Sequence, residues 1–339
     1  MEIKMKVFLA MPKEAAVTKT FFTREVIKKL EDSFEVVYLP GEASPTAADY
    51  ERYAGDCDAV ITGWGHPLIT KEMLSGTKIK LIAHTGGTVG VLVAPEVYDL
   101  GVRVISGNLL FARSVAEGVI AYMLMGRRYL PHYAAEMKRG GWHPGESYST
   151  RGLLDETVGL VGFGTITRYL IEMLHAFGVK IMLSSSYPPE EEYCKKYNIT
   201  TASLNEVFAK CKIVSLHSAL NERTRGMIGK EQFDLLQDGA LFINTARGKI
   251  VKEEEMIEAL KEKRFTAVLD VFDSEPLAVD SPLRTLDNVY AMPHVAGPTH
   301  DRRPHIADAI INNIIKFERG EEPELEISKS AAARMTVGG

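Results

Sequence analysis

The chain has 339 residues, of which 45% are apolar and 25% charged, a composition that excludes a disordered or collagen-like chain and suggests about two globular domains. The formal net charge is −5 and the basic residues form no long block, so we expect no nucleic-acid partner. No segment approaches the roughly 18 uncharged apolar residues of a membrane span, the N-terminus lacks a signal-peptide pattern, and the three cysteines form no disulfide or metal motif, so the sequence predicts a cytoplasmic protein with no membrane partner and no metal.

Short apolar segments alternate with helix-like ones along the first hundred residues. Five strands are predicted, over residues 6–10, 34–39, 59–62, 80–83 and 102–105. A helix over 23–30 separates the first two strands, and this alternation predicts a parallel sheet.

A long helix comes next in the predicted order. It is expected to begin at a capping box formed by Ser114 and Glu117 and to run to about Lys138, where Gly140 and Gly141 end it. A polar loop over 140–152 then connects to a second α/β series.

The second series has six predicted strands, over residues 158–161, 180–183, 213–216, 240–244, 267–271 and 289–292. Near the end, Ile306, Ile310 and Ile314 share one helix face, and Gly320 is a natural stop for that helix. From Ser328 onward the chain has no core pattern, and we expect a flexible tail over 328–339 or one that packs on a partner.

A glycine-rich turn follows the first strand of the second series. Gly162 allows a tight turn, Gly164 lets a pyrophosphate approach the backbone, and the following helix offers its N-terminus. Thr167 stands where a third glycine or alanine is usual. The pattern favours dinucleotide binding, although a strand–helix turn without a ligand would have the same spacing.

The strand that follows the glycine turn ends in Ser184, Ser185 and Ser186. An acidic residue at this place usually binds the ribose 2′-hydroxyl of NAD, and an arginine accommodates the 2′-phosphate of NADP. Neither is present, so the sequence leaves NADH and NADPH both open.

Arg247, Glu275 and His294 each lie just past one of the last three predicted strands. The carboxyl ends of parallel strands share one edge of a sheet, so these side chains should face one crevice with the glycine turn. A guanidinium binds a carboxylate, and a histidine beside a carboxylate can donate a proton, which suits carbonyl reduction. From spacing alone, a structural role for each residue stays open.

With these motifs in order, the chain resembles the D-isomer-specific 2-hydroxyacid dehydrogenase family over roughly residues 5–326. The matching strings are Ser114-Val115-Ala116-Glu117 and residues 159–166, 217–226, 243–250, 269–276 and 293–297. The resemblance implies an α/β protein of two Rossmann-like lobes. A flavodoxin-like substrate domain (1–110 and 298–327) would carry an inserted, doubly wound NAD(P)-binding domain (111–297).

The resemblance further implies reversible reduction of small 2-keto acids by NAD(H) or NADP(H), with Arg247, Glu275 and His294 as the catalytic set. The implied cofactor contacts are Gly162, Gly164, Thr165, Ile166, Ser185, Ser218, Ala219, Thr224, Thr245, Ala246, Asp270 and Gly297. Asp270 would hold the nicotinamide carboxamide. Arg247 and the backbone N–H groups of Gly86, Gly87 and Thr88 would bind the substrate carboxylate. The resemblance also implies that the protein is a homodimer and that its two lobes close over the substrate.

Several positions depart from the family pattern. Thr167 replaces the third glycine, Ser185 an aspartate, Ala219 a proline and Phe111 an asparagine. The sequence therefore leaves substrate and cofactor preference open. An NADH-sensing, corepressor-like regulator on the same fold is the alternative function.

Two further residues carry two interpretations each. Trp64 either walls the substrate pocket or packs in the core. Arg113 is either a cation for a phosphorylated substrate or an ordinary surface charge.

Overall fold

The computed structural model describes residues 4–142 and 149–336, which form two compact α/β units. The first unit takes in the chain up to Phe111 and from Pro298 onward, and the second unit is Ala112–Gly297. Each unit is built around one parallel sheet, and this agrees with the predicted fold class.

The first unit contains a five-stranded sheet in the order β2-β1-β3-β4-β5, with all strand pairs parallel. This is the flavodoxin-like order, which changes direction between β1 and β3. Its strands are β1 Lys6–Leu9, β2 Glu35–Tyr38, β3 Ala59–Thr62, β4 Leu81–His84 and β5 Arg103–Ser106.

The second unit contains a seven-stranded parallel sheet in the order β12-β11-β10-β9-β6-β7-β8. Its strands are β6 Thr157–Val161, β7 Lys180–Ser184, β8 Ile199–Thr201, β9 Ile213–Leu216, β10 Leu241–Asn244, β11 Thr266–Leu269 and β12 Val289–Ala291. The sequence misses β8, which has only three residues, two of them exposed threonines.

The α-helices within the described residues follow the chain order. They are α1 Ala16–Phe21, α2 Arg24–Ser33, α3 Ala47–Tyr53, α4 Lys71–Leu74, α5 Pro95–Asp99, α6 Asn108–Arg127, α7 Leu130–Lys138, α8 Thr165–His175, α9 Glu191–Lys196, α10 Leu204–Lys210, α11 Lys230–Leu235, α12 Glu253–Lys261, α13 Arg303–Glu318 and α14 Lys329–Ala332.

Both sheets are covered on two faces, which is why their central strands are continuous apolar runs. In β1, Val7 and Leu9 belong to one core cluster with α2 and α13, whereas Phe8 belongs to the cluster on the opposite face. The four residues of β9 are fully buried in the same way.

The helix predicted to start at Ser114 instead begins six residues earlier. Near this start, the Oγ of Ser106 at the end of β5 accepts a hydrogen bond from the backbone N–H of Asn108 at 3.2 Å. The predicted single helix also divides in two at Tyr129, whose φ of 53° is left-handed. The capping-box prediction is therefore wrong: Ser114 lies inside α6.

Helix α6 is the one helix among the described residues that is long and apolar enough to cross a membrane. This is weak evidence, because the core helix of a globular protein passes the same test. Ala116, Val119 and Met123 of α6 are fully buried in a core of the second unit, as expected for such a helix.

The predicted flexible tail is wrong for residues 328–336. Ser328 caps α14 by accepting a hydrogen bond from the backbone N–H of Ala331, and Ala332 is buried against the first unit. The N–H of Ile327 also donates to the carbonyl of Val104 at 2.8 Å. Residues 337–339, and residues 143–148 of the predicted 140–152 loop, lie outside the described residues.

Candidate functional site

The loops at the carboxyl edge of the seven-stranded sheet hold most of the predicted site residues. Gly162, Gly164, Thr165 and Ile166 follow β6, Ser185 follows β7, Ser218 and Ala219 follow β9, Thr245, Ala246 and Arg247 follow β10, Asp270 and Glu275 follow β11, and His294 and Gly297 follow β12. Thr224 lies farther along the loop after β9, where its hydroxyl donates to the carbonyl of Ala219 at 2.7 Å.

The glycine turn lies where the strand order changes direction, between β6 and β9. Gly162 has a φ of +99°, and a Cβ there would lie 2.7 Å from the backbone nitrogen of Ser218. Only glycine satisfies both conditions, so the turn can pass close to the loop after β9. Open α/β sheets bind ligands at this kind of switch point.

Helix α8 begins at the glycine turn without a side-chain cap. Its N-cap is Gly164. A Cβ added to Gly164 would have no other atom within 4 Å, so the space in front of the helix is open. The first N–H groups of α8 are therefore available to a phosphate. Thr167 is fully buried and its hydroxyl donates to the carbonyl of Gly162 at 3.0 Å, which explains why a threonine is accommodated at the third position of the motif.

Two buried polar groups beside this edge lack a hydrogen-bond partner among the described residues. They are the hydroxyl of Thr245 and both ring nitrogens of His217. Burial lowers the pKa of His217 to about 4, so its ring is neutral. Unpaired buried groups are costly, and a polar ligand would satisfy them. With the glycine turn, they fit a bound dinucleotide.

His217 is not among the site residues predicted from the sequence. Its position carries a signal nonetheless, since it directly follows β9 and precedes Ser218.

His294 and Glu275 form the one ion pair on this edge, among the described residues, that involves a histidine. The His294 Nδ1–H donates to Glu275 Oε2 at 2.7 Å, and Glu275 Oε1 accepts from the backbone N–H of Phe272 at 3.1 Å. Glu275 thereby fixes the imidazole, and Nε2 is directed away from the carboxylate. The His294 side chain is half exposed, so Nε2 can reach a ligand.

The turn that carries Arg247 is held by Asn244 at the end of β10. The Asn244 side chain accepts from the N–H of Ala246 at 3.0 Å and donates to the carbonyl of Arg247 at 3.1 Å. Burial lowers the pKa of Arg247, and the negative charge of Glu275 opposes that shift. Arg247 is therefore a partly desolvated cation close to Glu275.

Asp270 is buried and its carboxylate accepts three hydrogen bonds. One comes from the Tyr122 hydroxyl at 2.7 Å, and the others come from the N–H groups of Val295 and Ala296 at 2.8 and 3.0 Å. Asp270 thus fixes the segment that follows His294. A carboxylate has about four acceptor positions, so roughly one remains for a ligand amide.

The turn 86–88 lies at the carboxyl edge of the first unit's sheet. The Ser106 hydroxyl is within hydrogen-bond distance of the carbonyls of Gly86 and Gly87, at 3.0 and 2.6 Å. In the part of the chain that is described, the N–H groups of Gly86, Gly87 and Thr88 meet no acceptor. Successive free N–H groups make an anion-binding turn.

The His84 ring packs against that turn and explains why residue 86 is a glycine. A Cβ on Gly86 would lie 2.3 Å from His84 Nε2, so the turn can pass over the ring only with glycine there. His84 Nδ1 is 3.0 Å from the Thr62 hydroxyl, and burial lowers the pKa of His84 to about 3, so the ring is neutral.

Known proteins resemble this chain along nearly its whole length. The family model of the D-isomer specific 2-hydroxyacid dehydrogenase NAD binding domain matches residues 120–296. A glyoxylate reductase of Thermococcus litoralis is 30% identical, over 92% of this chain and 97% of the relative. A glyoxylate reductase of Korarchaeum cryptofilum is 29% identical, over 90% of this chain and 94% of the relative.

A solved structure has the same fold along nearly the whole chain. The TT0316 protein from Thermus thermophilus is 26% identical and superimposes with a TM-score of 0.78, covering 96% of this chain and all of that one.

Proposed function

Since the chain belongs to the D-isomer specific 2-hydroxyacid dehydrogenase family, we propose that it interconverts small 2-keto acids and D-2-hydroxy acids with Arg247, Glu275 and His294 as catalytic residues. Family membership makes the chain an oxidoreductase that acts on 2-hydroxy acids and uses NAD(P)(H). The observation that carries the residue assignment is the 2.7 Å hydrogen bond from His294 to Glu275.

His294 acts as the general acid for reduction. Because Nδ1–H is bound to Glu275, Nε2 is the atom that delivers a proton to the substrate. Glu275 stabilises the imidazolium before transfer and keeps the ring oriented. When the substrate is reduced, the proton on Nε2 passes to the keto oxygen as negative charge develops there.

Arg247 binds the substrate carboxylate and polarises the keto group. Its partial burial strengthens both interactions, because a desolvated guanidinium is screened less than one in water. The three free N–H groups of the turn 86–88 are also suited to bind a carboxylate.

The dinucleotide would lie along the glycine turn, where it meets the uncapped start of α8, Thr245 and Ser218. When bound, its nicotinamide supplies the hydride that reduces the keto carbon. Asp270 would accept a hydrogen bond from the carboxamide at its remaining position and so orient the ring.

The test is oxidation of NADH and of NADPH by the purified protein with a panel of 2-keto acids. His294→Ala should lower kcat by about 10²- to 10⁴-fold, the usual contribution of a general acid, with little change in cofactor affinity. His175→Ala, an exposed histidine on α8, is the matched control and should retain activity.

Turnover that survives His294→Ala would overturn the assignment of the acid. Tight cofactor binding without turnover on any acid would overturn the enzymatic proposal and support a cofactor-sensing regulator.

A further inference from the structure

Three aromatic rings form a cluster, here called the aromatic platform, at the carboxyl edge of the first unit's sheet. Trp64 follows β3, Phe21 ends α1 and Phe111 lies in the first turn of α6. The Trp64 ring is 5.2 Å from Phe21 and 5.8 Å from Phe111, edge to face in both cases. Phe21 is buried but Trp64 is 45% exposed, so the platform presents an indole to solvent.

Arg303, the first residue of α13, lies over this platform. Its guanidinium carbon is 5.1 Å from the centre of the Trp64 ring and 5.8 Å from that of Phe21, both within cation–π range. Its Nε donates to the carbonyl of Pro298 at 3.1 Å, and Nη1 donates to the Thr20 hydroxyl at 3.2 Å. The platform and these two bonds fix the orientation of the side chain.

The charge of Arg303 has no acidic partner among the described residues. The two hydrogen bonds use two of the five guanidinium N–H donors, and both acceptors are neutral. Across residues 4–142 and 149–336, no carboxylate forms an ion pair with Arg303, and burial lowers its pKa. A partly buried cation usually has an anionic partner, so an anion from outside the chain would be bound favourably here.

Two residues near Arg303, Phe111 and Ile306, pack close to the turn 86–88. Phe111 of the platform lies over the turn, since a Cβ on Gly87 would be 3.7 Å from that ring. One turn after Arg303 along α13, Ile306 packs at Gly107, where a Cβ would be 2.8 Å from Ile306 and 3.2 Å from the Gly86 carbonyl oxygen. Arg303 therefore belongs to the same group of packed residues as the proposed binding turn for the substrate carboxylate.

We infer that Arg303 binds a second anionic group of the substrate, a carboxylate or a phosphate at the end of the side chain remote from the keto acid. The preferred substrates are then 2-keto acids with an acidic side chain rather than neutral ones. This inference rests on the proposed function, which places the first carboxylate at the turn 86–88. The guanidinium fork suits either anion, and the aromatic platform keeps it in place.

The sequence offers Arg113 as one candidate cation for this role. Arg113 is exposed on α6, whereas Arg303 is held by the platform. The exposed half of Trp64 alone would instead favour a neutral or aromatic side chain, and the experiment separates the two possibilities.

The experiment compares kcat/KM for pairs of 2-keto acids that differ in the distal group. The pairs are oxaloacetate against 2-ketobutyrate, and 3-phosphohydroxypyruvate against hydroxypyruvate, with whichever nicotinamide cofactor the protein uses. We expect the acidic member of at least one pair to be preferred by about 10- to 100-fold, the range of a hydrogen bond to a charged group. The two pairs distinguish a carboxylate from a phosphate.

Arg303→Gln should abolish this preference by lowering kcat/KM for the acidic substrate alone. Arg302→Gln, at the exposed neighbouring arginine, is the matched control and should leave the preference unchanged. Arg303→Lys keeps the positive charge and should retain part of the preference for the acidic substrate. A purely structural role for Arg303 would lower kcat/KM for both members of a pair equally.

The outcomes separate this inference from the proposed function. Turnover that depends on His294 but favours neutral acids in the wild-type protein overturns the role of Arg303 and leaves the catalytic assignment standing. The wild-type preference alone therefore decides, even if Arg303→Gln does not fold. Absence of turnover on every acid overturns both.

Discussion

The Tyr122 hydroxyl is the side-chain group that supports Asp270 from α6. Because it donates one of the three hydrogen bonds to that carboxylate, Tyr122→Phe should loosen the segment after His294 without creating a cavity. We expect kcat to fall by about 3- to 10-fold and the Kd for the cofactor to rise, since one hydrogen bond is worth roughly 1 kcal/mol. Stopped-flow rates and fluorescence titration would measure both, with Tyr169→Phe on α8 as the control. Unchanged kcat and Kd would show that Asp270 does not need Tyr122.

At the same scale, the sequence predicts some site residues and misses others for a physical reason. The position of Arg247, Glu275 and His294 on one sheet edge could be predicted, because each follows a strand of the same parallel sheet and parallel strands bring their carboxyl ends together. Tyr122 could not, because its partner Asp270 is 148 positions away and no local pattern marks the pair. Arg303 is missed likewise, since only the folded chain shows that it lies on Trp64.

Among the elements, the strands other than β8 are predicted within one or two residues, because buried strands have short continuous apolar sequences. The start of α6 is not predicted, because the sequence pattern at Ser114 resembles a helix cap, whereas the helix already begins at Asn108, whose N–H donates to Ser106 Oγ. Gly118 of α6 lies so close to the segment after β12 that a Cβ would be 2.7 Å from the Ala296 carbonyl oxygen.

The turn after β4 should accept only glycine at position 86. Gly86→Ala should place a methyl group against His84 and distort the turn, raising KM for keto acids by about tenfold or more and lowering Tm. His84→Ala removes the ring that causes the clash, so the double variant should recover substrate affinity relative to Gly86→Ala. The measurements are steady-state kinetics and thermal melts of the wild type, the two single variants and the double variant, which together form a double-mutant cycle. Equal losses in the single and double Gly86 variants would show that contact with His84 is not the reason for glycine.

At the scale of the whole molecule, we predict a homodimer that uses α7 and its surroundings. Leu130 and Met137 on α7 and Leu154 after it are 49%, 52% and 73% exposed, an apolar surface in the second unit that association would cover. Light scattering should give twice the chain's 37.5 kDa for the wild-type protein. The double variant Leu130→Asp, Met137→Asp should give the monomer mass, because charges at an apolar interface must be desolvated. Val279→Asp, at a residue 92% exposed elsewhere in the same unit, is the matched control and should leave the dimer intact. A wild-type monomer, or a dimer that persists in the double variant, would assign this apolar surface another role.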